Sequence, residues 1–234
     1  PRLCEFPNLV SLLCSHAGNN EMFENIREDR SKLPLRPIHS CFQGLRNLRR
    51  LAIEEFYTYT WPADGAVPFL RAFSNLKTLN LARNAFDGTL PSLAFMTGLV
   101  YVDLRSNFIT GMSDFPTTLQ QLELRGPMMM LNDFPRNLFR LSNLRTFSIQ
   151  HLTDGPRLEH GMLANLSKLT SLYVISSKLV GTLPEDITRL QNLEKLSLKG
   201  NSRLSGNALE HIKMLPTTLK ELNIEATNVS GQIP

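Results

Sequence analysis

One spacing constrains this chain more than any other property: apolar residues, mostly leucine, at the first, fourth and sixth places of a phrase that returns along its whole length. The clearest copies are Leu76, Leu79, Leu81 with Asn84; Leu99, Val102, Leu104 with Asn107; and Leu193, Leu196, Leu198 with Asn201. Leu169, Leu172 and Val174 repeat it with Ser177 at the Asn place, and Leu219, Leu222 and Ile224 with Thr227 there. Weaker copies begin at Leu9, Leu48, Leu119 and Leu144, so the steps between first places are 39, 28, 23, 20, 25, 25, 24 and 26 residues. A unit of roughly 20–29 residues cannot bury its apolar face without neighbours, so the pattern predicts about nine stacked coils, with insertions in the first two steps.

The residues inside the phrase say what each coil does. Its last two apolar places are two apart, so on a strand both point inward while the residue between them points out. Each coil therefore adds one short strand, parallel to its neighbours. The Asn that follows has donors and an acceptor for buried backbone groups at the turn, a task Ser177 and Thr227 perform less completely. Upstream of the strands, Leu163, Leu166 and Leu169, like Ile187, Leu190 and Leu193, are spaced for a short helix or 3-10 turn on the outer side. Gly88, Gly111, Gly181, Gly206 and Gly231 punctuate the return path.

The stretches Leu179-Val180-Gly181-Thr182-Leu183-Pro184 and Ser230-Gly231-Gln232-Ile233-Pro234 resemble the plant-type leucine-rich repeat, L-x-G-x-[IL]-P. Two coils open with Pro-Thr-Thr-Leu, at Pro116 and Pro216, which is similar to repeats of protozoan proteins, including kinetoplastid surface antigens. The resemblance implies an α/β leucine-rich-repeat solenoid, curved, with its strands on the concave face and short helical, 3-10 or irregular segments on the convex one. It also implies recognition of protein partners, as in scaffolds, receptors and surface antigens. The expected organisation is an irregular N-terminal coil or cap with a charged insertion over residues 1–45, then the solenoid over 46–234, cut off inside its last phrase as a fragment of a larger protein would be.

Outward strand residues line the concave face in three columns. Tyr101, Asp103, Arg105, Glu123 and Arg125 come from adjacent coils and set two arginines and two acids beside an aromatic ring; Gln150, Tyr173 and Ile175 extend the patch. Tyr and Arg are enriched at binding hot spots, so these eight are the candidate partner-binding residues, against the plainer reading of acid–base pairs that satisfy one another. Tyr59 and Trp61, in the aromatic insertion Phe56-Tyr57-Thr58-Tyr59-Thr60-Trp61, are a second candidate, against that of a flap capping the stack. Met128, Met129 and Met130 suit gap filling or an adaptable contact.

Other classes of function find little support. A net charge of +4 from 25 bases and 21 acids is a mixed surface, and the charged segment Asn19–Ser40 intersperses acids with bases, which argues against a nucleic-acid groove. There is no glycine-rich phosphate loop, no metal-ligand spacing among the five histidines and no nucleophile signature, so neither an enzyme nor a cofactor is expected. No apolar run is long enough to span a membrane. Cys4, Cys14 and Cys41 are an odd set without a C-x-x-C pair; free thiols and an intracellular setting are the first expectation, a Cys4–Cys14 bridge and an extracellular setting the second. Asn165-Leu166-Ser167 and Asn228-Val229-Ser230 are sequons that an extracellular chain would expose. The leading expectation is a non-enzymatic protein-interaction module, with a receptor or surface-antigen ectodomain, or a structural subunit of a large assembly with or without RNA, as alternatives.

Overall fold

The computed structural model describes residues 6, 8–15, 45–54, 73–84, 86–126, 131–135, 137–207, 210 and 213–229, and for 36–37, 59–60 and 230 the backbone alone. In chain order the strands are β1 (Ser11–Ser15), β2 (Arg36–Pro37), β3 (Arg50–Glu54), β4 (Tyr59–Thr60), β5 (Thr78–Asn80), β6 (Asp87–Leu90), β7 (Tyr101–Asp103) and β8 (Phe108–Met112). They continue with β9 (Gln121–Leu124), β10 (Thr146–Gln150), β11 (Ser171–Ile175), β12 (Lys195–Ser197), β13 (Ser205–Asn207), β14 (Glu221–Asn223) and β15 (Asn228–Ser230).

Nine of these form one parallel sheet in the order β1-β3-β5-β7-β9-β10-β11-β12-β14, one strand per leucine phrase. The fourth place of every phrase aligns with its neighbours: Leu12 with Leu51, Leu79 with Val102, Leu122 with Phe147, and Leu172 with Leu196. Past the strand ends the pairing persists, with Leu81 N–H donating to Asp103 O at 2.9 Å and Ser106 N–H to Arg125 O at 2.8 Å. The core is a single column of leucines running the length of the stack, nearly all fully buried from Leu45 to Leu204, so each coil owes its stability to the coils on either side.

Two side-chain ladders hold the coils together. In the expected one, Asn84 Nδ2 donates to the carbonyls of Ile53 and Leu81 at 2.6 and 2.9 Å, and Asn107 Nδ2 to Leu81 and Leu104 at 2.8 and 3.0 Å. Asn201 repeats this to Val174 and Leu198 and accepts from the Ser177 and Leu179 amides. The second ladder stands before the first leucine of the phrase: Asn75, Asn143 and Asn192 donate to Arg46, Thr117 and Ser167 carbonyls at 3.1, 3.0 and 2.8 Å. Thr118 and Thr218 do the same to Leu99 and Leu193. Its rungs lie one coil apart, so both ladders satisfy backbone groups of the preceding turn.

Between strand and Asn the chain turns sharply, and the residue just before the Asn place takes a positive φ in coil after coil: Arg83 (55°), Ser106 (54°), His151 (64°), Ser176 (46°), Gly200 (76°) and Ala226 (54°). Only glycine takes this conformation without strain, and here most coils use another residue. The return path differs in part from the sequence-based expectation. After the Asn place it forms a second set of short parallel pairs, β6 with β8 and β13 with β15, and an isolated parallel bridge from Gly181 to Leu204. On the outer side Leu138–Arg140 and Glu185–Arg189 are 3-10 helices, the latter holding Ile187, whereas the Leu163 segment forms successive turns.

Candidate functional site on the concave sheet

The inward leucines force the alternate strand residues onto the concave face. The first column reads Thr78, Tyr101, Gln121, Thr146, Ser171, Lys195 and the second Asn80, Asp103, Glu123, Ser148, Tyr173, Ser197. Facing out does not make the second column accessible. Asp103 and Ser148 are fully buried and Glu123 is 7% exposed, because residues of the two flanking columns fold over the middle of a curved sheet. The expected patch of two acids and two arginines is therefore a layered arrangement, with carboxylates beneath and guanidiniums on top.

Asp103 is the best-satisfied of these groups. Its Oδ1 accepts the Arg105 amide at 3.0 Å; Arg105 Nε lies 3.0 Å from both oxygens, and Nη2 donates to Oδ2 at 2.7 Å. Tyr101 Oη donates to the same Oδ2 at 3.2 Å. Burial, reinforced by the neighbouring Asp103 carboxylate, pushes the Tyr101 phenol up to about 12. The hydrogen bond to Asp103 raises Arg105 above its ordinary value against the opposing effect of burial, so it stays charged. The next coil is looser. Arg125 Nε stands 3.3 Å from Glu123 Oε2 without hydrogen-bonding geometry, leaving both atoms and the buried Ser148 Oγ unpartnered, while Gln121 Nε2 donates to Glu123 Oε1 at 3.3 Å.

Beside this floor, at the exit of the strands, lies an open groove of about 370 Å³ lined by Glu54, Ala82, Arg83, Arg105, Ser106, Arg125, Gly126 and Gln150. Arg105, Arg125 and Gln150 of the sequence-derived set meet there. Tyr101 sits on the opposite column, and Tyr173 and Ile175, half-buried one coil beyond Gln150, stay outside the groove. Arg83, Ser106 and Gly126 were not legible as site residues, since nothing in the leucine phrase marks the positive-φ place that swings them to the rim. Gly126 has a reason of its own: a Cβ there would lie 2.6 Å from the Ser106 amide nitrogen. Toward the C-terminal end the concave charges are paired across coils, Lys195 with Glu221 at 2.6 Å and Lys199 with Glu225 at 2.8 Å.

Tyr59 contributes only its backbone, in β4 beside β2, and its side chain, Trp61 and Met128–Met130 lie outside the described residues. Cys14 is a half-buried free thiol whose burial raises its pKa; Cys4 and Cys41 lie outside the described residues. His151 is half-buried, which lowers its pKa, and His160 is exposed. Among the described residues no three of His, Cys, Asp and Glu converge as metal ligands, and no helix is long and apolar enough to cross a membrane.

The family profile Leucine Rich Repeat matches residues 75–95. Receptor-like protein 6 of Arabidopsis thaliana is 29% identical over 203 residues, 86% of this chain and 18% of that protein. Receptor-like protein kinase BRI1-like 3 of the same plant is 32% identical over 171 residues, 68% of this chain and 14% of that protein. The chain thus spans less than a fifth of the length of these two relatives. Among solved structures, the Arabidopsis receptor kinase HAESA, in complex with the peptide hormone IDA and the co-receptor SERK1, has a TM-score of 0.71 at 22% identity over 97% of this chain and 36% of that one.

Proposed function

This chain is a leucine-rich-repeat protein, and on that premise we propose that it is a non-enzymatic recognition module of a larger protein, which holds a protein partner on its concave sheet. Residues 46–234 are the recognition unit and 1–45 its cap. The observation that carries the reading is the groove across successive coils, where Arg105 is held rigid by a buried carboxylate. A guanidinium fixed before binding loses little freedom when a partner docks, which is how a preformed surface gains affinity. Tyr101 beside it supplies apolar area with few rotamers to freeze. A receptor-ectodomain form of the same reading is favoured by the relatives, which are receptor-like proteins, and by the HAESA structure, which holds a peptide hormone. Occupancy of the exposed Asn165 sequon by a glycan in native material supports that form, and an unmodified Asn165 in every native preparation counts against it.

The test is capture of partners by the full-length native protein and by the variant Asp103→Asn/Arg105→Gln/Glu123→Gln/Arg125→Gln. Changing each buried acid together with its arginine avoids stranding a buried charge, so the fold survives. Loss of one stoichiometric partner with an unchanged melt is expected. Undiminished capture moves the site off the concave face.

A further inference from the structure

We infer that the groove edge formed by Arg83, Arg105 and Arg125 is a carboxylate subsite that takes acidic side chains at alternate positions of an extended partner segment lying along the solenoid axis. The inference rests on the concave-face reading and adds the chemistry of what is bound.

The spacing carries the first part of the argument. Arg105 and Arg125 align on adjacent coils about 4.8 Å apart, and Arg83 stands on the coil before, one residue past Ala82, the place that aligns with Arg105, so the three attachment points span about 10 Å. An extended segment places every second side chain on one face about 6.7 Å apart, so two acidic residues separated by one other reach all three guanidiniums.

Layering carries the second part. The carboxylates that compensate Arg105 and Arg125 lie below the surface, at 0% and 7% exposure, while the arginine side chains are 42% and 38% exposed. A partner therefore meets donors. Arg105 spends Nε and Nη2 on Asp103, which fixes the plane of the fork and turns its remaining edge to the groove. Arg125 holds Glu123 by ion contact, so its Nε gives up no hydrogen bond when a ligand docks. At one end of the groove Glu54 accepts from Asn80 Nδ2, so a carboxylate laid there meets a like charge; Gln150 closes the other end with a neutral amide. The acidic residues of the partner are thereby kept off the Glu54 end and ranged along Arg83, Arg105 and Arg125.

Charge arithmetic decides the mode of recognition. Arg83, Arg105 and Arg125 against Glu54, Asp103 and Glu123 sum to zero, so the subsite works through short, directed N–H···O contacts rather than a long-range field. Affinity for an acidic segment consequently falls less than about tenfold between about 50 and about 500 mM salt.

The probes are three synthetic peptides: an acetylated and amidated Ser-Glu alternation, the same peptide with Gln for Glu, and that Gln peptide with a free carboxyl terminus. Each is titrated into the protein while the arginine Nε–Hε signals are followed by nitrogen-15 NMR. The Glu peptide is expected to shift the Arg105 and Arg125 signals, and Arg83→Gln and Arg125→Lys are each expected to weaken it about tenfold. Neither variant disturbs the Asp103–Arg105 pair, so both keep the fold. Equal binding of the capped Gln peptide, binding through the free terminus alone, or unchanged affinity in both variants overturns the subsite. If native partner capture is still lost in the Asp103/Arg105/Glu123/Arg125 variant, the concave-face reading stands while this inference falls.

Discussion

At the scale of single residues the concave floor turns on Asp103, a fully buried carboxylate that Arg105, Tyr101 and a backbone amide all serve. Removing one partner of a buried pair costs more than removing both, because it strands the other charge. Arg105→Ala is therefore expected to lose about 2–3 kcal/mol in urea unfolding, at the lower end for such pairs because the guanidinium is partly in solvent, whereas Asp103→Asn/Arg105→Gln loses less. Equal losses would show that the pair is not coupled. Tyr101 supplies an alkaline signature. Its folded pKa of about 12 lies above the usual phenol value of 10, so the folded state prefers the protonated form. The contribution is complete below about pH 10, where the unfolded phenol is still protonated, and is lost as pH rises toward 12. Ultraviolet titration is expected to find a late-ionising tyrosine that disappears in Tyr101→Phe; its persistence would assign the late phenol elsewhere. The acids and arginines were legible as neighbours in the sequence because the leucine register fixes their columns. Their layering was not, since the burial of a nominally outward residue depends on how flanking side chains fold over a curved sheet.

The element is the coil, and its two ladders and one strained turn set its stability. Asn107 meets the Leu81 and Leu104 carbonyls and the Phe86 amide while fully buried, so Asn107→Ala removes three buried hydrogen bonds and is expected to cost about 3 kcal/mol. Leu81→Asp places an unpaired charge in the core and is expected to abolish the cooperative melt; a native-like transition would contradict the register. At the turn, Gly200→Ala would set a Cβ 2.5 Å from Ser176 Oγ at a φ of 76°, for an expected loss of about 1–2 kcal/mol by thermal melting. A variant as stable as the parent would mean that the turn relaxes freely. The strand and the inner ladder were readable from the phrase, because leucine spacing and a following Asn report directly on what they bury and bond. The outer ladder at Asn75, Asn143 and Asn192 was not read, although an Asn directly before the first leucine was its signal. The positive-φ place had none, since Arg, Ser, His, Ala and Gly all occupy it. The second set of parallel pairs, β6 with β8 and β13 with β15, forms through backbone bonds that any side chain permits, so glycine punctuation alone could not announce it.

Over the whole molecule the stack behaves as a one-dimensional array whose stability is the sum of coils and their interfaces. Asymmetry follows from the C-terminal end: Leu222, at the fourth place of its phrase in β14, is 39% exposed, whereas the leucines at that place from Leu12 to Leu196 are buried. The solenoid itself was legible from its period alone, because no single coil is stable and only stacking buries the leucines. The groove was half legible: Arg105, Arg125 and Gln150 followed from the columns, while Arg83, Ser106 and Gly126 depended on the turn. The most direct measurement of the central claim is site-directed photo-crosslinking in the full-length native protein, with a photoreactive residue at Gln121 on the concave sheet or at Lys168 on an exposed turn outside it. Adducts to one protein partner from Gln121 and none from Lys168 are predicted; adducts from Lys168 alone would contradict recognition by the concave face.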